Sequence, residues 1–105
     1  MKVLTRQEEQ ILLAVCHLKE KAYLVPIREQ VKKYTGKYYS VGTIYAPLNR
    51  LAIHGYLDSH IGESSPDRGG KAIKYYHITD KGYQALAEVK KLQETMWQGF
   101  ELAEK

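Results

Sequence analysis

The sequence predicts a mainly α-helical domain with one small β-hairpin and a long helix at its C-terminal end. Three observations carry that reading. Apolar residues recur at helical spacing in three successive N-terminal stretches. Two stretches rich in aromatic and β-branched residues then flank a glycine-bearing segment, the pattern of a hairpin. A final apolar stripe repeats every three or four residues almost to the end of the chain. At 105 residues and 44% hydrophobic content, this is one domain's worth of protein.

Each element follows from local signals. Thr5 and Glu8 have the spacing of a capping box, in which hydroxyl and carboxylate take up each other's free backbone amides. Ile11, Leu12, Val15, Cys16 and Leu18 follow at helical spacing, so a first helix is expected from Thr5 to Leu18. Lys19 to Val25 reads as a short connection. Pro26 suits the first turn of a second helix, where a missing amide hydrogen is no loss. Ile27, Val31 and Tyr34 form its inward stripe, and Gly36 supplies a stop after Thr35.

Ser40 is a good N-cap for a third helix that Gly55 closes. Its phase turns Ile44, Leu48 and Leu51 inward and leaves Val41, Thr43, Ala46, Pro47 and Arg50 outward. Pro47 removes the hydrogen bond to the Thr43 carbonyl and is expected to kink or loosen the first turn and a half of the helix. Tyr56 to Ile61 and Ala72 to Ile78 read as strands around the tip Gly62 to Gly70. Thr79 caps a last helix, expected from Asp80 to Ala103, whose ends Gly82 and Gly99 weaken.

Three helices, a hairpin and a further helix make a winged helix-turn-helix with a C-terminal dimerisation helix. Residues 1–79 form the winged-helix region and 80–105 the dimerisation helix, in one compact domain. The second and third helices are joined by Gly36-Lys-Tyr-Tyr39, a short glycine-bearing turn. In such units the start of the second helix of the pair enters the major groove of DNA.

Charge agrees with that use. The net charge is +4, and between Lys19 and Arg50 seven basic residues stand against two acidic ones. From Lys81 onward basic and acidic residues balance. A basic middle attracts phosphates, and a neutral tail suits a different partner.

The residues expected to touch double-stranded DNA are then few. Ser40, Val41 and Thr43 stand at the tip of the reading helix, with Arg50 further along. Arg28 and Lys37 lie where phosphates would run, and Tyr38, Tyr39 and Tyr45 can offer hydroxyls to them. Tyr39 and Tyr45 suit the core or its rim equally well. Arg68 and Lys71, flanked by glycines at the hairpin tip, and Lys74 on the next strand form a basic wing.

Several stretches taken together resemble the signature of PadR-type regulators. They are Ser40-Val-Gly-Thr-Ile-Tyr45, Leu48, Arg50-Leu51, Gly55-Tyr-Leu57, and Lys74-Tyr-Tyr-His-Ile-Thr79 with Gly82. The resemblance runs over nearly the whole chain, from Leu4 to Leu86. It implies a winged-helix homodimer that binds an operator or promoter, acts as a repressor, and often releases DNA when a small aromatic or drug-like molecule binds. Family members commonly carry proline directly after the tyrosine; here Ala46 intervenes and the proline is Pro47. The C-terminal region is short, like the compact branch of the family.

Ala85, Val89, Leu92, Met96, Phe100 and Ala103 form the last stripe. Three helices and a hairpin cover only its near end, so Val89, Leu92, Met96 and Phe100 are expected to meet a second copy. Trp97, beside the stripe, either stacks on a flat aromatic effector together with Met96 or packs the dimer seam or the first helix.

Other classes lack support. His17, His54, His60 and His77 show no metal-ligand spacing, and Cys16 has no cysteine partner, so no metal and no cofactor are expected. Cys16 reads as a buried free thiol in a reducing cytoplasm. No nucleophile or acid–base set appears, no phosphate loop follows a strand, and no apolar run suits a membrane. An enzyme is therefore not expected. The competing function is a winged-helix module for protein–protein association, which the basic reading face disfavours.

Overall fold

A computed structural model describes residues 3–62 and 72–102 of the chain. Helix α1 spans Arg6–Leu18. The Glu8 amide donates to Thr5 Oγ1 at 3.1 Å and the Thr5 amide to Glu8 Oε1 at 2.8 Å, which completes the capping box. Glu8 is almost fully buried by that exchange. Ile11, Leu12, Ala14 and Val15 are buried, and α1 touches α2 (Leu24–Thr35), α3 (Val41–Ile53), the hairpin and the last helix. It is the post around which the core is built.

The connection after α1 holds more structure than a linker. Lys19–Lys21 form one turn of 3₁₀-helix. Ala22 then accepts the Tyr76 amide at 2.8 Å, and Tyr23 bridges Tyr75 in antiparallel fashion. This ties the hairpin to the start of α2.

Helix α2 begins two residues before Pro26, so the proline sits in the first turn, where the amide has no intrahelical partner. Ile27 and Val31 are fully buried. Tyr34, expected to face inward, is exposed instead, and its hydroxyl meets His17 Nδ1 on α1. Gly36 caps α2 in the left-handed region, its amide bonded to the Lys32 carbonyl at 2.7 Å.

Ser40 caps α3 by accepting the Thr43 amide at 3.2 Å. Ile44, Leu48 and Leu51 are buried as their spacing predicts. Pro47 is buried as well, not outward, because three residues after Ile44 it shares the inward face. The helix runs unbroken through it. The carbonyl of Thr43 that Pro47 leaves unbonded receives the side-chain amide of Gln7 from α1, at 3.4 Å.

Strands β1 (Leu57–Gly62) and β2 (Ile73–Ile78) form an antiparallel pair with Leu57 opposite Ile78 and Gly62 opposite Ile73. Leu57 and Tyr76 anchor the pair in the core. Helix α4 spans Asp80–Trp97. Thr79 caps it by accepting the Gly82 amide, while its own hydroxyl donates to the Gly55 carbonyl at 2.7 Å. Lys81 adds a bond to the His54 carbonyl, so the start of α4 is latched to the end of α3.

The expected run of this helix to Ala103 is not observed. It stops at Trp97, ahead of Gly99 at φ 78°. Phe100 and Leu102 are exposed, so burial in the described core does not hold further turns in place. Within α4, Gly82, Ala85, Leu86 and Val89 lie on the core, whereas Leu92, Met96 and Trp97 are exposed.

Candidate DNA-binding interface

The turn between α2 and α3 is held from the α2 side. Arg28 Nε donates to the Tyr39 carbonyl at 2.5 Å, and its guanidinium lies 3.9 Å from the centre of the Tyr38 ring. The Tyr38 hydroxyl donates to Glu29 Oε1 at 2.6 Å, a bond that pushes the phenol's pKa up and commits a hydroxyl expected to reach phosphate. Lys37 Nζ stands 5.0 Å from the Tyr39 ring, and that ring leans on the core.

Beyond this turn α3 presents its first two turns to solvent. Ser40, Val41, Gly42, Thr43, Tyr45, Ala46 and Arg50 are all exposed. The hydroxyls of Ser40 and Thr43 lie 2.7 Å apart, so part of their bonding capacity is internal. Small groups at the tip leave room for close approach of a groove floor, and the amides of the capped end face outward with a partial positive charge.

The wing stands beside this face. A cavity of about 240 Å³ opens between Tyr23 and Leu24 at the start of α2, Tyr45 on α3, and Ile73, Lys74 and Tyr76 of the hairpin. Lys74 is exposed, and its ammonium stands 5.6 Å from the Tyr76 ring. Tyr45 and Lys74, 29 residues apart in sequence, therefore share one opening. Burial pushes the Tyr76 phenol up, so it stays protonated there. Arg68 and Lys71 lie outside the described residues.

The residues expected at a dimer contact divide into two groups. Val89 is already buried in its own domain, whereas Leu92, Met96 and Phe100 are exposed. Trp97 is 53% exposed and meets Phe100 edge to face at 5.7 Å. Beside Leu92, a cavity of about 180 Å³ is bounded by Val3 and Leu4 as well as α4, so the start of the chain joins this surface.

Two features escaped the sequence reading: the Arg28 clamp and the Val3–Leu4 rim. Each joins residues distant in sequence, or outside any periodic stripe. Among the described residues no group of three or more histidines, cysteines or acids is placed to hold a metal. No helix among them is long and apolar enough to cross a membrane.

A helix-turn-helix whose second helix is exposed at its start, followed by a two-stranded wing, defines a winged-helix DNA-binding fold. Solved structures of that class superpose on the chain. A PadR-like transcriptional regulator from Bacillus cereus is 29% identical, covering 88% of this chain and 91% of its own, with a TM-score of 0.66. A PadR family regulator from Eggerthella lenta is 28% identical, covering 90% and 80%, with a TM-score of 0.70. The Aeropyrum pernix ORC1 protein, solved in complex with DNA, shares the fold at 19% identity and a TM-score of 0.65, over 88% of this chain and 26% of its own. Among curated proteins none matches significantly.

The model of the PadR-like transcriptional regulator family matches residues 12–88, and the chain belongs to that family. It is a DNA-binding regulator of transcription and not an enzyme.

Proposed function

We propose that the protein is a cytoplasmic homodimeric repressor that reads an operator through the start of α3. The observation that carries this is the solvent-facing set Ser40, Val41, Thr43 and Arg50 on a helix whose opposite face is fully buried. In this reading Val41 and Thr43 approach base edges, and Arg50 reaches a base or the backbone. Tyr45, Lys37 and Lys74 contact phosphates, and Arg68 and Lys71 extend the wing along the backbone.

Leu92, Met96 and Phe100 meet the same residues of a second copy, which places two reading helices on successive major grooves. A small aromatic effector at that seam, stacked on Trp97 beside Met96, would alter the separation of the two helices and release DNA. The exposure of Trp97 and its edge-to-face contact with Phe100 support an aromatic platform.

Binding of the full-length chain to a duplex it selects from a random pool, titrated with salt, tests the reading. The alanine triple at Arg68, Lys71 and Lys74 should weaken selected and scrambled duplexes alike. The salt slope should fall by about one for every phosphate that the variant no longer neutralises. An unchanged slope removes the wing from the interface. For the effector, planar aromatic compounds should quench Trp97 fluorescence and lower DNA affinity. Compounds that do neither would leave Trp97 as a packing residue.

A further inference from the structure

Arg28 is an obvious candidate for a phosphate contact, yet its geometry assigns it other work. The two residues directly before the Ser40 N-cap are both fastened to α2. The Tyr39 carbonyl takes the Arg28 Nε proton at 2.5 Å. The Arg28 guanidinium carbon stands over the Tyr38 ring at 3.9 Å from its centre, with Lys32 Nζ at 5.2 Å from the same centre. The Tyr38 hydroxyl closes the loop on Glu29, the neighbour of Arg28, at 2.6 Å. Four side chains thus hold one turn. The orientation of the peptide between Tyr39 and Ser40 fixes where the cap sits, and the cap fixes the direction of α3.

We propose that Arg28 is a positioning residue that sets the entry angle of the reading helix through the Tyr38–Tyr39 turn, and so controls base discrimination without itself carrying it. The proposal rests on the DNA-reading role of α3. It separates from a phosphate contact because guanidinium and ammonium are not equivalent here. A lysine keeps the charge that a phosphate needs, but has neither the Nε donor nor the planar face that the turn uses.

The full-length chain and its variants Arg28→Lys, Arg28→Gln and Tyr38→Leu are compared on two duplexes: one selected by the wild type from a random pool, and a scrambled duplex of equal composition. Tyr38 is 47% exposed, so its replacement removes the plate without opening the core. All three variants should lose about tenfold or more in the ratio of the two affinities, the scale of one good base contact. Arg28→Lys should keep the wild-type affinity and salt slope on the scrambled duplex. Without DNA, amide exchange at Thr43 and Ile44, bonded to Ser40 in the first turn, should be faster in each variant.

An Arg28→Lys chain that matches wild type in discrimination and exchange, while Arg28→Gln lowers the salt slope by about one, would make Arg28 a phosphate contact and overturn the proposal. A wild type that prefers no duplex would instead overturn the DNA reading. In that case amide exchange alone decides the clamp, and unchanged protection in Arg28→Lys and Tyr38→Leu refutes it.

Discussion

Gly82 stands where a larger side chain has no room. A Cβ there would run into the Tyr56 carbonyl and the Ile78 side chain, and the residue is buried. As a glycine in the first turn of a helix it reads as a weakness, but its role is the close pass of α4 over the start of the hairpin. Gly82→Ala should destabilise the domain by about 1–3 kcal/mol, the usual cost of overpacking, measurable by urea denaturation. Cys16 is half-buried, and burial holds its thiol above the ordinary cysteine pKa. Its alkylation by iodoacetamide should be slower than that of a free thiol near neutral pH and should rise only at higher pH. The linked stability is present below the unfolded thiol pKa and is lost as pH rises through the folded one. Alkylation as fast as a small thiol at neutral pH would contradict this. At this scale the sequence reveals that Val41, Thr43, Ala46 and Arg50 of α3 face solvent, because a period of 3.6 leaves little freedom once Ile44, Leu48 and Leu51 are inward. Pro47, three residues after Ile44, was misplaced outward. The partner of Arg28 was hidden, since that partner is a backbone carbonyl 11 residues away and no side-chain pattern encodes it.

Helix α3 shows how an element absorbs a local fault. Pro47 deprives the Thr43 carbonyl of its helical partner, and Gln7 of α1 supplies a replacement from outside the helix. Gln7→Ala should therefore cost a little stability, about 0.5 kcal/mol for a long and exposed bond. That cost should vanish where Pro47→Ala has restored the amide donor. A double-mutant cycle measures the difference, and equal costs in both backgrounds would show that the Gln7 bond does not serve this carbonyl. The starts of α1, α3 and α4 were legible because Thr5, Ser40 and Thr79 each cap through their own side chain, a signal local to three residues. The end of α4 was not. Met96, Phe100 and Ala103 continue the apolar stripe in sequence, but whether a stripe stays helical depends on surface to cover it, which lies in tertiary or quaternary structure. The Tyr23–Tyr75 bridge was equally invisible, for a single paired residue has no periodicity.

At the scale of the whole molecule the proposed function divides the surface between two tasks. Tyr45 of α3 and the described part of the hairpin share one opening, and Leu92 of α4 with Val3 and Leu4 lines another. The 18 residues of α4 span about 27 Å at 1.5 Å per residue, and only its first half rests on the core. Leu92→Glu would place a carboxylate in the proposed apolar contact, at a cost of several kcal/mol if left unpaired. Sedimentation should then report monomer, and DNA affinity should fall with it. A variant that stays a tight dimer would move the interface elsewhere. In the proposed dimer two copies of α3 read one operator together. A hydroxyl-radical footprint of the full-length protein on its selected duplex tests this most directly. Two protected patches are expected on one face of the DNA, centred about 34 Å apart and abolished together in Leu92→Glu. A single patch, or protection that survives equally on scrambled DNA, would contradict it.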